Sequence, residues 1–416
     1  MRPDVSAPHR TDPRIAIVGA GIGGLTLAID LASRGIRAEI YEQAPQLTEI
    51  GAAVALSANA TRELDRLGIL AGVEAYAAEP TELIYRDWRN GTRVAAHPVS
   101  IGGAYRERFG GPYLGVHRAD LQKVLGGAVA MDALHLDHRL VGIAEAGDAV
   151  RLDFGRDRIV EADLVVGADG VRSAVRDYVA GPGGTRYSGT SAFRGIVPTS
   201  CLPSLPDWQA IQFWMGPGAH LLHYAIGPDS REVNFFAVVE GPETWPGRDR
   251  WTMPIEPGEA LAPFAGWHPA VTEMIGAAEH AVRWGLFTTR PILHWHRGRA
   301  VLIGDAVHAM LPHHGQGANT TIEDAVTLAE LLATHGLGKL DATLSLHRNL
   351  RRTRTRQIQL SSAATNDLLH LADGDDLLAR DERMARFPER FAWIHAHRAH
   401  EAAREALAAA TLARFL

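Results

Sequence analysis

The fold is decided close to the amino terminus, by IAIVGAGIGG at residues 15–24. Its four apolar residues predict a buried parallel strand, and the glycines after them predict a tight turn into a helix over residues 25–34, which Gly35 ends. A second apolar run, AEIY at residues 38–41, predicts the next strand. A strand, a helix and a strand in this order indicate an open α/β sheet.

The glycines at residues 19–24 follow a strand and open a helix, which is the context that the dinucleotide-binding fingerprint requires. Glycine lets the backbone approach a pyrophosphate closely, and the helix amino terminus adds free N–H groups. Glu42 ends the next strand, where its carboxylate can accept hydrogen bonds from a ribose. An acid at this point argues against a 2′-phosphate and favours FAD or NAD. The alternative is a glycine-rich turn without a ligand.

Two further predicted strands run into glycine–aspartate turns. DLVVGADGVRSAVR at residues 163–176 carries Asp169 in its turn, and VLIGDAVH at residues 301–308 carries Asp305 at the carboxyl end of its strand. From there Asp305 can bind a polyol, and GQGAN at residues 315–319 leads into a helix whose amino terminus can stabilise negative charge. Taken singly, either turn is also explained as a purely structural feature.

The composition is that of an ordinary folded protein, with 46% hydrophobic and 22% charged residues. A formal net charge of −6 argues against binding nucleic acid over a broad surface. The single cysteine, Cys201, excludes an intramolecular disulfide and a cysteine zinc site, and it fits the cytoplasm, where we expect the protein. No apolar run approaches the length of about 20 residues that a membrane span needs, so no membrane association is expected. We expect a monomer or a homodimer.

Three other features of the sequence favour ordinary interpretations. Residues 1–13 lack the apolar stretch of a signal peptide and predict a flexible polar tail. Twenty histidines raise the question of a metal, but no HExxH motif or carboxylate cluster with ligand spacing accompanies them, so we expect no metal site. Residues 348–356 hold five arginines, which in an acidic protein predict a solvated helix face.

The order and spacing of the three glycine-containing motifs resemble those of the flavin-dependent aromatic hydroxylases with the p-hydroxybenzoate hydroxylase fold, the group A flavoprotein monooxygenases. The resemblance spans roughly residues 14–370. Within that family the chain is most similar to the branch of salicylate hydroxylase, 3-hydroxybenzoate 6-hydroxylase and 6-hydroxynicotinate 3-monooxygenase. The resemblance implies an α/β fold in which a Rossmann-like FAD-binding domain is interleaved with a mostly antiparallel β-sheet substrate domain, followed by a helical carboxyl terminus.

Local patterns place the substrate domain along the chain. Residues 81–99 predict a hairpin that turns on Asn90-Gly91, and the proline-rich segment 182–258 contains strand-like runs. Together with the resemblance, these patterns predict the division of the chain. The expected units are a flexible tail at 1–13, an FAD-binding domain at 14–80, 100–180 and 285–360, a substrate-binding domain at 81–99 and 181–284, and carboxyl-terminal helices at 361–416.

The resemblance also implies roles for individual residues around non-covalently bound FAD. Arg118 would contact the polar chain of the flavin, Asp305 its ribityl hydroxyls, and residues 317–319 the pyrimidine edge of the isoalloxazine. Asp169 belongs to a motif that this family uses for both FAD and the nicotinamide co-substrate, NADH or NADPH, which binds transiently. The residues expected at the cofactor are Gly19, Ala20, Gly21, Gly23, Gly24, Glu42, Gln43, Arg118, Asp169, Asp305, Gly317, Ala318 and Asn319.

The reaction that the resemblance implies is hydroxylation of a small aromatic substrate of the phenolic or hydroxypyridine type. NAD(P)H reduces FAD, O2 adds at C4a of the flavin, and the resulting hydroperoxide transfers one oxygen atom to the ring. The protein must hold the ring near the flavin, assist ionisation of its hydroxyl and exclude water. Two alternatives stay open: a natural-product tailoring hydroxylase or epoxidase with the same flavin chemistry, and a flavin-binding regulatory protein without turnover.

The candidate ring-ionising group lies on a predicted strand, AHLLHYAI at residues 219–226. Side chains two apart share a face of a strand, so His220, Leu222 and Tyr224 form one row and His223 points the other way. The resemblance favours His220 and Tyr224 as the catalytic pair, because relatives carry the same His and Tyr at this spacing. The alternative is a half-buried strand with a satisfied histidine, and His313 and His314 are rival bases. The expected substrate-binding residues are Arg194, Leu222, His313 and His314.

Overall fold

The computed structural model describes residues 13–47, 53–247, 250–278, 282–372, 374 and 376–412. The predicted polar tail at 1–13 lies outside the described residues, except for Pro13. Within the described ranges, no helix combines the length and the apolar character that crossing a bilayer demands.

The bounds of the regular elements within the described residues are as follows. The strands are β1 Ile15–Val18, β2 Ala38–Tyr41, β3 Ala53–Leu56, β4 Ala77–Ala78, β5 Glu82–Asp87, β6 Arg93–Pro98, β7 Leu114–His117, β8 Leu134–His135, β9 Gly142–Ala146, β10 Ala149–Asp153, β11 Ile159–Ala162, β12 Leu164–Gly167, β13 Thr185–Pro198, β14 Ile211–Gly216, β15 Ala219–Ile226, β16 Glu232–Glu240, β17 Thr252–Pro254, β18 Val282–Thr289, β19 His296–Arg297 and β20 Ala300–Leu302. The α-helices are α1 Ile22–Ser33, α2 Ala58–Arg66, α3 Leu70–Glu74, α4 Ala104–Phe109, α5 Arg118–Gly127, α6 Ala174–Ala180, α7 Pro269–Ala277, α8 Asp305–His308, α9 Gln316–His335, α10 Leu340–Leu369, α11 Asp376–Ala385, α12 Phe387–His395 and α13 Ala399–Leu412.

The central sheet is parallel except at one edge. Its strand order is β19-β20-β12-β1-β2-β8, and only β19 runs antiparallel to its neighbour within the described residues. The predicted strands β1 and β2 are confirmed at their predicted bounds. Strand β1 pairs with β2 on one side and β12 on the other, and its side chains are buried on both faces of the sheet. Ile15 and Ile17 pack with α1 and α9, and Ala16 and Val18 pack with α6 and the small antiparallel sheet β9–β11.

Helix α1 begins at Ile22, earlier than the predicted residue 25, so its first turn contains two glycines. Both are required by close packing. A Cβ on Gly24 would lie 2.0 Å from the carbonyl oxygen of Gly19, and one on Gly23 would lie 2.3 Å from Cγ2 of Thr321 in α9. The tight contact of α1 with the turn before it and with α9 therefore overrides the low helix propensity of glycine.

The second large sheet is mostly antiparallel, with the order β17-β18-β13-β16-β15-β14-β5-β6. The predicted hairpin on Asn90-Gly91 is confirmed as β5–β6, and β5 joins the sheet by a parallel pairing with β14. One face buries Trp214 and Phe235 against α7. The other face turns toward the carboxyl ends of the central sheet. With the helical carboxyl terminus that follows, this architecture confirms the fold class predicted from the sequence.

The arginine-rich segment of α10 is only in part the solvated face that the sequence predicts: Arg352 is exposed, but two of the five arginines are not. Arg351 and Arg354 are buried, because they pair with two carboxylates that α9 presents to the same space. Arg351 lies 2.6 Å from Glu323 and 2.7 Å from Asp324, and Arg354 lies 2.7 Å from Glu323. The two arginines lower the pKa of the Glu323 carboxyl, and Arg351 with His308 lowers that of Asp324, which keeps both carboxylates ionised despite burial.

Arg351→Met should destabilise the protein by about 3–5 kcal/mol, since it leaves two buried carboxylates short of a cation. The free energy of unfolding in urea, followed by tryptophan fluorescence and circular dichroism, measures this. The matched control is Arg352→Met on the exposed side of the same helix, which should change stability by no more than about 0.5 kcal/mol. Equal effects of the two substitutions would show that the pairing contributes nothing specific.

Candidate active site

A cavity of about 970 Å³ lies between the carboxyl ends of the central sheet and the inner face of the large antiparallel sheet. It brings together motifs that are far apart in the chain. The predicted site residues that line it are Gly19, Gly21, Gly23, Glu42, Gln43, Arg118, Asp169, Arg194, Leu222, Tyr224, Asp305, Gly317 and Ala318. Of the described residues predicted for the site, the following do not line the cavity: Ala20, Gly24, His220, His313, His314 and Asn319.

The turn between β1 and α1 presents bare backbone to the cavity. Gly19 has φ +105°, a conformation that favours glycine, and a Cβ there would lie 2.5 Å from the carbonyl oxygen of Ala168. Gly21 precedes the first residue of α1, and a Cβ on it would meet no other part of the described protein within 4 Å. The helix amino terminus is therefore open to a phosphate group.

Glu42 is held at the end of β2 by two backbone donors. The N–H of Ala20 donates to Oε2 at 2.8 Å, and the N–H of Ala44 donates to Oε1 at 2.8 Å. Ala20 itself is buried and Gly24 packs against Gly19, so both support the turn from behind instead of lining the cavity. Each carboxylate oxygen of Glu42 keeps a second lone pair with which it can accept a hydrogen bond from a ribose.

Asp169 and Asp305 line the cavity from the ends of β12 and β20. The carboxylate of Asp169 accepts hydrogen bonds from the Ser173 hydroxyl at 2.5 Å and the Val175 N–H at 3.1 Å, and burial raises its pKa. Asp305 begins α8 directly after Gly304, whose N–H donates to Asp324 at 2.8 Å. The buried carboxylate of Asp324 thereby fixes the turn that presents Asp305.

The amino terminus of α9 forms the next part of the wall. Gly317 and Ala318 line the cavity, and a Cβ on Gly317 would meet no other part of the described protein within 4 Å. Asn319 is buried behind them: its Oδ1 accepts from the N–H of Ser57 at 2.8 Å, and its Nδ2 donates to the carbonyl oxygen of Gly315 at 2.6 Å. In this structure Asn319 positions the turn through these hydrogen bonds.

These features fit FAD. Two helix amino termini, those of α1 and α9, face one cavity with backbone that carries no side chain at Gly21 and Gly317, and carboxylates for hydroxyl groups stand at Glu42 and Asp305. Helix amino termini stabilise negative charge, which suits a pyrophosphate at one end and an electron-rich flavin ring at the other.

The inner face of the large sheet supplies the opposite wall. Arg194 pairs with Phe236, and Phe236 pairs with Leu222, so these three side chains form one row across β13, β16 and β15. Asn234 and Tyr224 form the next row, and all five line the cavity. Asn234 and Phe236 were missed in the sequence analysis; the signal for them was their alternation along residues 232–240, but only the strand register identifies the row.

Arg194 is held by an aromatic ring. Its guanidinium carbon lies 3.3 Å from the centroid of the Trp284 ring on the neighbouring strand β18, a cation–π arrangement that fixes the plane of the side chain. The guanidinium is the cationic member of a row whose other members, Phe236 and Leu222, are apolar. A flat substrate that carries one anionic group matches this combination.

His220 lies two residues before Leu222 on the same face of β15, and it does not line the cavity. Its ring is buried, its Nδ1 is 2.7 Å from Nε2 of His370, and its centroid is 4.9 Å from that of His313. Burial and the neighbouring histidines hold the pKa of His220 well below its usual value, so the ring is neutral near pH 7 and can accept a proton. His370 was missed because it lies 150 residues away with no local motif.

The two rival bases, His313 and His314, have different surroundings in the structure. His313 contacts His220, and neither of its ring nitrogens has a hydrogen-bond partner among the described residues. His314 turns toward the carboxyl-terminal helices, where its Nε2 is 2.9 Å from the Ser361 hydroxyl and its ring is 4.5 Å from Phe391. Burial lowers the pKa of His314 to about 4.

Comparison with known proteins agrees with the geometry. The family model described as FAD binding domain matches residues 12–359. The chain is 38% identical to 3-amino-4-hydroxybenzoate 2-monooxygenase PtmB3 of Streptomyces platensis, over 92% of this chain and 96% of that protein. It is 34% identical to 6-hydroxynicotinate 3-monooxygenase of Bordetella bronchiseptica, over 83% of this chain and 90% of that protein. Among solved structures, a salicylate hydroxylase substrate complex superposes with a TM-score of 0.82 at 27% identity, covering 95% of this chain and 98% of that one.

The match covers the glycine turns, the large sheet and the helix α9 that together enclose the cavity. The family resemblance inferred from the motifs is therefore confirmed over most of the chain. This chain belongs to the FAD-binding family of aromatic hydroxylases, and it is an FAD-dependent aromatic-ring monooxygenase with NAD(P)H as co-substrate.

Proposed function

We propose that the enzyme hydroxylates a small aromatic acid with a ring hydroxyl, either a hydroxybenzoate or a hydroxylated pyridine carboxylate, using O2. The observation that supports this most directly is the guanidinium of Arg194, which stacks on Trp284 and stands beside Phe236 on the cavity wall. The relatives named above carry 3-amino-4-hydroxybenzoate, 6-hydroxynicotinate and salicylate in their names, and each compound combines a ring hydroxyl with a carboxylate.

Arg194 and the row around it would orient the substrate. A planar guanidinium can bind a carboxylate through two parallel hydrogen bonds, which fixes both the position and the plane of the acid. Phe236 and then Leu222 follow Arg194 along the same row, so the ring of the acid would pack on them. This orientation would present one edge of the ring toward the amino terminus of α9.

The opposite wall would hold the cofactor. Backbone N–H groups at Gly21 would face the pyrophosphate, Glu42 the adenosine ribose and Asp305 the ribityl hydroxyls. Gly317 and Ala318 would face the pyrimidine edge of the flavin ring, with Arg118 and Gln43 along the polar chain. FAD, when bound without a covalent link and reduced by NAD(P)H, supplies the activation of O2 that no side chain provides.

His220 would accept the proton of the substrate hydroxyl, and Tyr224 would help to transfer it. A phenol has a pKa near that of tyrosine, about 10, so about one molecule in a thousand is ionised at pH 7. His220 is neutral and turns Nδ1 toward His370, which leaves Nε2 as the nitrogen for the substrate proton. Because His220 stands behind the wall, the proton would reach it through Tyr224, His313 or one water molecule.

The remaining expectations belong to the same proposal. The division into an FAD-binding domain, a substrate-binding domain and carboxyl-terminal helices is supported by the two facing sheets. We infer a cytoplasmic enzyme, a monomer or a homodimer, that does not bind nucleic acid; the net charge of −6 and the single cysteine support this.

The substrate panel that tests the function is 3-amino-4-hydroxybenzoate, 6-hydroxynicotinate, 3-hydroxybenzoate and salicylate. The measurements are the stimulation of NAD(P)H oxidation by each compound and the mass of the product.

Asp305→Ala should weaken FAD binding by roughly 10- to 150-fold, because a hydrogen bond to a charged group contributes about 1.5–3 kcal/mol. Fluorescence titration of the apoprotein with FAD measures the dissociation constant, after acid has released the flavin from the protein. Asp341→Ala, at an exposed position on α10, is the control and should bind FAD normally. An unchanged constant for Asp305→Ala would remove this residue from the cofactor site.

Arg194→Met should raise the KM of the acid by roughly 10- to 150-fold through loss of a charge-assisted pair worth about 1.5–3 kcal/mol. The FAD dissociation constant should not change. Arg186→Met, at an exposed position on the same strand, is the matched control and should leave KM unchanged. If the amide of the substrate binds the wild-type enzyme as well as the acid does, Arg194 does not recognise a carboxylate.

His220→Ala should lower the hydroxylation rate by about 100-fold or more, within the range of general-base assistance. FAD should stay bound and NAD(P)H oxidation should continue in part, with hydrogen peroxide replacing the hydroxylated product. Product and peroxide per NAD(P)H, measured from pH 6 to 9, report this uncoupling. A variant that stays fully coupled at the normal rate would move the base elsewhere, and His313 is then the next candidate.

A further inference from the structure

A row of buried histidines leads from the inner face of the large sheet toward the surface. His220 on β15 has its ring 4.9 Å from that of His313. On its far side, Nδ1 of His220 is 2.7 Å from Nε2 of His370, which follows the last residue of α10. His313, His220 and His370 are called the histidine row below.

The histidine row ends at solvent. Nδ1 of His370 is buried and has no hydrogen-bond partner among the described residues, and it lies 3.8 Å from Oε1 of Glu240 at the end of β16. The side chain of Glu240 is 67% exposed, whereas that of His370 is 3% exposed. A small movement or one bridging water closes this gap, so a proton can cross from the interior to bulk water here.

The turn before β15 fixes this arrangement. The N–H of Gly218 donates to the carbonyl oxygen of His370 at 3.0 Å, and the carbonyl oxygen of Gly218 accepts from the N–H of Glu240 at 2.9 Å. One residue therefore locks the end of α10 and the end of β16 to the strand that carries His220. The distances between His220, His370 and Glu240 are set by backbone hydrogen bonds as well as by side-chain packing.

A histidine can accept a proton at one nitrogen while it donates from the other, so two touching rings can transmit a proton. A buried ring beside other histidines cannot keep the extra charge, and a proton taken from the substrate must move on. The geometry points to a proton path from His220 through His370 to Glu240, which carries the substrate's hydroxyl proton to solvent. This inference rests on the proposed role of His220. His370 acts on the substrate only through His220.

The transfer balances without an oxidant or a reductant. The substrate O–H bond breaks as its proton passes to Tyr224, His313 or the bridging water, which hands a proton on to Nε2 of His220. Nδ1 of His220 then passes its own proton to Nε2 of His370, and Nδ1 of His370 releases one to the Glu240 carboxylate. Each ring is left as its other tautomer. When the hydroxylated ring regains its aromaticity, the product oxygen takes a proton back along the same path, and the original tautomers return.

Other titratable and charged groups also face this path and belong in any pH analysis. Within the described part of the chain, His313 and His314 lie on the turn before α9. Burial lowers the pKa of His220, with smaller contributions from His313 and His370. Burial also lowers the pKa of His313, with smaller contributions from His370 and His314. Arg283 on β18 reaches the carbonyl oxygen of Glu240 at 3.5 Å. Arg283 thus contacts the backbone of the residue at which the path ends, and the Glu240 carboxylate is the acceptor there.

The test separates the rate of ionisation from its equilibrium. The wild-type holoenzyme is mixed anaerobically with the acid of the panel that it hydroxylates best, and absorbance of the ionised ring is followed in a stopped-flow instrument. His370→Gln should keep the final amplitude but slow its appearance at least about tenfold, at the low end of proton-transfer assistance. Imidazole should restore the rate to His370→Ala. Glu240→Gln should slow the appearance less, and mainly at low buffer concentration.

The matched control is His347→Gln, another buried histidine of the same helix outside the histidine row, which should behave as the wild type. His220→Ala should lose the amplitude itself, and if it does not, the proposed base is wrong. If His220→Ala loses the amplitude but His370→Gln ionises the acid at the wild-type rate, the path through His370 is overturned. The same slowing in His347→Gln, or no rescue of His370→Ala by imidazole, would show that His370 has only a structural role.

Discussion

Helix α9 buries two adjacent carboxylates, Glu323 and Asp324, and the shape of the cofactor wall depends on how their charges are paired. Asp324 accepts a hydrogen bond from the backbone of Gly304 and so places the turn that carries Asp305. Glu323 accepts from the Asn59 side chain at 2.6 Å, which ties α2 to the same helix. Because two arginines of α10 neutralise this pair, the Gly304 turn and helix α2 are both held by buried charges that lie behind the cavity wall.

The two walls of the cavity do different work. The wall that we propose faces the cofactor is built mainly from backbone: glycines, helix amino termini and short turns at strand ends, with the carboxylates of Glu42 and Asp305 among its lining groups. The wall that we propose faces the substrate is built from side chains on a regular sheet, in rows set by strand register. Under the proposed assignment, a substitution at Phe236 or Leu222 would alter which ring is accepted without disturbing the cofactor, and a family with this fold can change substrates while keeping its flavin chemistry.

The sequence could predict the features that local rules determine. Glycines between a strand and a helix identified the cofactor turns, and the two-residue period of a strand placed His220, Leu222 and Tyr224 on one face. It could not predict Asn234 and Phe236, because their place in the wall depends on the register between β15 and β16. The sequence could not predict the contacts of His370 or of the buried arginines of α10 for the same reason, because each residue meets its partner only after distant elements pack.

The strand order of the central sheet also bears on how the protein is made. Its neighbours β1, β12 and β20 come from residues 15–18, 164–167 and 300–302, and they pair directly. Such long-range parallel pairing forms slowly, since a large chain loop must close before each contact is gained. During synthesis the ribosome must release roughly three quarters of the chain before β20 can join the sheet. Strand β12 therefore waits without its second neighbour while residues 168–299 are made, and this interval is when chaperone binding would matter most.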